Sequence, residues 1–163
     1  MATCEGCSLT QTSSGHYLAT VDPSVTEATI HTFVDRKEIG NTRFLVAKVP
    51  KPIPQFGTIT TATAMASDIA NQNVILCALG TDIPYVGLKY TVTKFSVVVA
   101  PKDTSMPAKF FTGIKGNVIP PDLKTALSSL MPSDMISIFG IEAIGPDKLG
   151  LVKLNSSIVI TVE

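Results

Sequence analysis

The clearest strand signal in the sequence lies near the middle of the chain, in the stretch Lys89-Tyr90-Thr91-Val92-Thr93-Lys94-Phe95-Ser96-Val97-Val98-Val99-Ala100. In an extended chain, Tyr90 and Val92 lie on one face while Phe95 and Val97 lie on the other. Such two-residue alternation predicts a β-strand. The chain also contains 19 Thr, 15 Val and 15 Ile residues, the β-branched types that favour strands. The sequence therefore predicts a mainly β protein.

Short β-strands are predicted on both sides of this stretch, because apolar segments alternate with Gly- and Pro-containing turns. They cover residues 17–21, 28–34, 43–49, 74–79, 109–114, 135–144, 151–154 and 158–162. Two short helices are predicted at 61–73 and 119–130. In the second, Leu123, Leu127 and Leu130 share one helical face, which is expected to point into the core. The pattern favours immunoglobulin-like β-sandwich modules with one or two short helices.

Three prolines at alternate positions, Pro50, Pro52 and Pro54, interrupt the strand pattern. Each fixes φ near −65° and removes a backbone donor, so residues 50–57 are predicted to form a stiff, extended linker. The alternative is an edge strand leaving a sheet. The linker interpretation gives a partial immunoglobulin-like β domain at 1–49, its C-terminal half, and a C-terminal β-sandwich at 58–163. Three strands alone leave a sheet face and an edge uncovered, so the first block is expected to pair with a second copy. The alternative is a half-domain that is stabilised by docking on its own C-terminal neighbour.

The balance of charged residues argues against a nucleic-acid partner. Thirteen basic and thirteen acidic residues give a formal net charge of zero. Nucleic-acid binders need a basic excess, so nucleic acid is not expected as a partner, whereas self-association meets no net repulsion. No stretch approaches the roughly 20 apolar residues of a membrane span. The first residues do not follow the signal-peptide pattern either. The chain is therefore expected to be cytoplasmic, or to be the mature or shortened part of a longer protein.

The sequence contains few motifs for catalysis or for cofactor and metal binding. It lacks the motifs for phosphate, dinucleotide, calcium or zinc-protease sites, so we predict no catalytic residue, no cofactor site and no metal site. Cys4 and Cys7 lack the further ligands that a structural zinc needs. They are interpreted as a possible local disulfide of an oxidising compartment, with two free thiols as the alternative. Cys77 is expected to be a buried apolar residue, and His16 and His31 to be ordinary strand or loop residues.

Three stretches together resemble the C-terminal periplasmic end of the GldM/PorM family, which belongs to the gliding-motility and type IX secretion machinery of Bacteroidetes. They are residues 43–54, 90–97 and 132–147, the last with Pro132-Ser133-Asp134 and Gly145-Pro146-Asp147. Their order and spacing agree with the family from about Tyr17 onward. The family's glycines are replaced here by Ser133 and Lys148, both at predicted turns.

The resemblance implies a non-enzymatic structural component of the periplasm. It implies a homodimer with protein partners in the cell envelope, coupling an inner-membrane motor to outer-membrane components, within a parent protein that is membrane-anchored. The stiff proline linker would transmit force between modules. Two rival functions are considered. A secreted or cell-surface binding or adhesion module would need an aromatic patch, and the chain has no Trp. A small thiol-dependent enzyme or inhibitor would use Cys4, Cys7 and His16.

Overall fold

A computed structural model describes residues 1–47, 49–80, 88–146 and 150–163, and it is mainly β. These residues form thirteen strands, mostly antiparallel, and two short helices, which confirms the predicted fold class of β-sandwich modules with few helices. The chain divides into two compact units, Met1–Val49 and Pro50–Glu163, hereafter the N-terminal and C-terminal units.

The N-terminal unit has five strands, two more than the sequence predicts. They are β1 (Ala2–Glu5), β2 (Cys7–Ser13), β3 (His16–Val21), β4 (Glu27–Val34) and β5 (Lys37–Leu45). β1, β4 and β5 form an antiparallel sheet in that order, and β2 pairs with β3 as a hairpin. The turn between β4 and β5 places Asp35 and Arg36 at φ +50° and +65°, the geometry of a tight hairpin turn, where the sequence predicts one.

The C-terminal unit contains a six-stranded sheet, a two-stranded sheet and both helices. Its elements are β6 (Ile53–Phe56), β7 (Thr63–Ala64), α1 (Ala66–Asn71), β8 (Ile75–Ala78), β9 (Thr91–Ala100), β10 (Lys109–Lys115), α2 (Pro121–Ser128), β11 (Met135–Ile144), β12 (Leu151–Lys153) and β13 (Ile158–Val162). The larger sheet has the order β10-β9-β11-β13-β7, and β12 pairs with the far end of β11. β6 and β8 form the smaller sheet.

The core of the C-terminal unit lies between the larger sheet and the layer formed by α1, α2 and the smaller sheet. Its members are fully or almost fully buried. They include Phe95, Val97 and Val99 of β9, Ile136, Ile138 and Ile141 of β11, Ile160 and Val162 of β13, and Phe56, Ile69 and Ile75 opposite them. Leu123 and Leu127 are buried at 0% and 1% exposure, and Leu130 at 8%, so the inward-facing side of the predicted second helix is confirmed.

The segment 50–57 departs from the linker prediction. Residues 53–56 form β6, which pairs antiparallel with β8 from Ile53↔Ala78 to Phe56↔Ile75. Pro54 and Phe56 are buried, and the Gly57 amide donates to the Val74 carbonyl at 2.9 Å. Proline is tolerated because β6 is hydrogen-bonded along one edge only, to β8. The edge-strand alternative therefore describes residues 53–56, and the C-terminal unit begins at Pro50 instead of residue 58.

Other boundaries differ more modestly from the predictions. The first helix covers only 66–71 within the predicted 61–73, because Thr63 and Ala64 pair in parallel with β13 instead. Of the third predicted strand, 43–49, only residues 43–45 lie in a strand, as the end of β5, which begins earlier than predicted, at Lys37. The turn is predicted at residues 145–148, of which Asp147 and Lys148 lie outside the described residues.

Candidate functional site

The N-terminal unit contains an open apolar cavity of about 360 Å³. One wall is the β2-β3 hairpin and the other is the β4-β5 part of the sheet. Its lining residues are almost all apolar: Cys7, Ala19, Val21, Ala28, Ile30, Phe44, Leu45 and Val46. We call this set the apolar groove. The pairing registers explain it, because Cys7 lies opposite Val21 and Ala28 lies opposite Phe44, which places each pair on one sheet face.

The apolar groove is poorly covered within its own unit. Ala28, at 3% exposure, is the buried hydrophobic residue of this unit, and the other buried hydrophobic residues of the described chain belong to the C-terminal unit. Phe44 remains 50% exposed, Val21 39% and Leu45 83%. Contiguous exposed apolar surface of this kind marks an interaction site, because its burial against a partner is favourable. The groove is therefore the candidate association surface.

A disulfide between Cys4 and Cys7 joins the hairpin wall of the groove to the sheet that supplies the other wall. It links the end of β1 in the sheet to the start of β2 in the hairpin, across a Cα–Cα distance of 5.4 Å. The sequence left disulfide and free thiols as alternatives, and the structure has the disulfide. Since the thiol-dependent alternative needs a thiolate, it has no nucleophile at these two positions in this oxidised state.

Gly6, between the two cysteines, is the residue of this site that sequence reasoning missed. It has φ +75°, and its carbonyl accepts a hydrogen bond from the Asp22 amide at 3.1 Å. A Cβ atom here would lie 2.6 Å from the Glu27 carbonyl oxygen. The position therefore needs glycine for both backbone conformation and space. A glycine inside a short Cys-x-x-Cys segment was the available signal.

Gly6→Ala should destabilise the N-terminal unit more than Gly15→Ala does. Both glycines have φ +75°, but nothing lies within 4 Å of a Cβ placed at Gly15. The left-handed conformation costs either alanine about 1 kcal/mol, and the backbone clash with Glu27 is added only at Gly6. Hydrogen exchange of the β4 amides measures the difference. Equal protection in the two variants would contradict the close packing of Gly6.

His31 lies on the sheet face opposite the groove and is held by carboxylates. Its Nδ1 lies 3.0 Å from the Glu38 Oε1, and its Nε2 lies 3.9 Å from the Glu5 Oε1. Hydrogen bonds from Asn41 and, secondarily, His31 lower the pKa of Glu38. This cluster links β1, β4 and β5 side by side, and in the described ranges no serine or cysteine side chain hydrogen-bonds to His31. The arrangement is that of a cross-strand polar contact.

The remaining predicted residues fall elsewhere. His16 begins β3, where its carbonyl accepts a hydrogen bond from the Thr12 hydroxyl at 3.3 Å. Cys77 is half-buried in β8, and burial raises its pKa to about 11, so it is a neutral thiol at physiological pH. Within the residues that the structure describes, no three His, Cys, Asp or Glu side chains are grouped to hold a metal ion.

No family model matches the sequence, and no curated protein matches it significantly. Among the described residues, no helix has the length and apolar character to cross a membrane.

Proposed function

We propose that this chain is a non-enzymatic structural component of the cell envelope that works as a homodimer and passes force or assembly contacts between envelope partners. The proposal joins the resemblance to the periplasmic end of GldM/PorM with one structural observation, the uncovered apolar groove of the N-terminal unit. In this role the parent protein is anchored in the inner membrane and reaches outer-membrane components through the periplasm.

The apolar groove supports a second copy of the chain as the partner. A homodimeric contact would bring two identical apolar surfaces together, and the net charge of zero opposes this weakly. The strands add directional contacts, because β5 and β1 are the edges of the three-stranded sheet and β2-β3 is an isolated hairpin. Edge strands present unpaired backbone groups that can hydrogen-bond to another chain. Burial of the groove between two copies would give the N-terminal unit the apolar core that it lacks alone.

The Cys4–Cys7 disulfide supports the compartment. Disulfides persist in oxidising environments such as the bacterial periplasm and are reduced in most cytosols. The pair also suits a mechanical role, because it ties the β2-β3 hairpin covalently to the three-stranded sheet at the point where β1 meets β2.

Light scattering across a concentration series tests the dimer. We expect the mass to rise from the monomer value of 17.2 kDa toward about twice that value as concentration increases. A mass that stays at 17.2 kDa at the highest soluble concentration would contradict the dimer.

A further inference from the structure

A second cavity, of about 570 Å³, lies in the C-terminal unit. It opens between the C-terminal end of α2 and the segment that connects β9 to β10. Its apolar lining includes Val99, Met106, Ala126, Leu130 and Met131, together with three prolines. We call it the methionine cavity. Its volume falls in the range of about 300–1,000 Å³ typical of small-molecule sites.

The two methionines give the cavity an adaptable rim. Met106 is 59% exposed and Met131 69% exposed, while Val99, Ala126 and Leu130 behind them are buried. Methionine side chains are unbranched and polarisable, so they adjust to flexible apolar ligands. The walls are thus suited to a hydrocarbon chain. A peptide is a poorer fit, because its backbone N–H and C=O groups would each need a polar partner on an apolar wall.

Charged side chains at the cavity mouth indicate which polar group the hydrocarbon ligand would carry. Lys109 lies opposite Val99 in the β9-β10 register, which places both on the cavity side of the sheet, and Lys102 also lines the mouth. In the part of the chain that the structure describes, neither lysine has a carboxylate within 4.0 Å. Two ammonium groups therefore remain available to an anion.

The two carboxylates at the same mouth are already engaged. Asp134 accepts the Lys102 amide through Oδ1 and the Met131 amide through Oδ2, each at 2.9 Å. Asp103 accepts the Ser105 amide at 2.9 Å. These bonds fix the turns that frame the cavity. Each oxygen of Asp134 thus accepts a backbone amide, whereas the ammonium groups of Lys102 and Lys109 have no carboxylate within 4.0 Å in the described residues.

We propose that the methionine cavity binds a fatty-acid-like monocarboxylate, with its hydrocarbon chain against Met106, Met131 and Leu130 and its carboxylate paired with Lys109. Charge complementarity sets the orientation, and apolar burial supplies most of the affinity. This binding site goes beyond the structural role proposed above and is independent of it.

Octanoate is the probe, and the methyl signals of the five methionines of the full chain are the NMR readout. We expect saturable shifts at Met106 and Met131. Lys109→Met should weaken octanoate binding about tenfold, because a charge-assisted hydrogen bond is lost. Lys115→Met, at the other end of β10 and outside the cavity lining, is the matched control and should leave the affinity unchanged. Octan-1-ol, of equal chain length, should bind both variants equally.

Four outcomes would overturn the proposal. Octanoate at millimolar concentration that fails to shift Met106 and Met131 excludes the site. Equal affinities of Lys109→Met and Lys115→Met for octanoate would show that Lys109 does not bind the carboxylate. Octan-1-ol that binds as tightly as octanoate would show that the site does not select an anionic group. A short apolar peptide with a free C-terminus that displaces octanoate at far lower concentration would assign the cavity to a protein terminus instead.

Discussion

Leu127→Ala should lower the free energy of unfolding of the C-terminal unit by about 2–5 kcal/mol, the range for a leucine that is removed from a packed core. Leu127 is 1% exposed and packs from α2 against the sheet core, together with the fully buried Leu123. The surrounding strands are held by antiparallel ladders and cannot collapse into the space left behind, so the cavity cost adds to the transfer cost. For a unit of this size, the melting temperature should fall by about 10 °C or more.

Leu151→Ala is the matched control for this measurement. Leu151 lies in β12 and is 55% exposed, so its truncation removes little buried surface. Its effect should stay within about 0.5 kcal/mol, as for surface substitutions in general. Calorimetry of the two variants makes the comparison. Similar melting temperatures for Leu127→Ala and the unsubstituted protein would mean that α2 does not pack as described.

The C-terminal unit was largely predictable because its signals are local. Alternation in β9 and the leucine spacing of α2 each depend on a few neighbouring residues. Burial follows the leucine spacing and the alternation of Phe95, Val97 and Val99, but Val92, predicted on the opposite face, is buried in the same core. The linker prediction for residues 50–57 was wrong because a proline shows only that one backbone donor is missing. It does not show which edge of the strand is hydrogen-bonded. β6 is hydrogen-bonded along one edge only, and its partner, β8, lies about twenty residues later in the chain, beyond the reach of a local pattern.

The candidate site could be predicted only in part. The Cys4–Cys7 pair was visible from spacing, whereas β1 and β2 escaped notice because Thr, Ser and Gln dominate them. The apolar groove depends on Val21 and Phe44, which belong to different layers and are brought together by two separate registers. Periodicity shows that such residues share a face but does not show whether another element covers that face.

Phe44→Glu should abolish dimer formation at concentrations where the unsubstituted chain is dimeric. Phe44 lines the apolar groove and is half-exposed in the single chain, so the variant can fold while presenting a carboxylate to its partner. Loss of a buried aromatic contact commonly costs an interface 2 kcal/mol or more, and burial of an unpaired charge adds to that cost. Because each 1.4 kcal/mol is a factor of ten, the dissociation constant should rise by about 100-fold or more.

Ile39→Glu is the control that separates the groove from a general charge effect. Ile39 lies in the same strand, is 63% exposed and does not line the groove, so the variant carries the same added charge at a different place. It should dimerise like the unsubstituted chain. Val21→Glu, on the opposite wall, should reproduce the Phe44→Glu result, because both side chains would meet the same partner surface. Sedimentation velocity on all four proteins decides: if Ile39→Glu dissociates as readily as Phe44→Glu, the groove is not the contact, and association must be assigned to another surface.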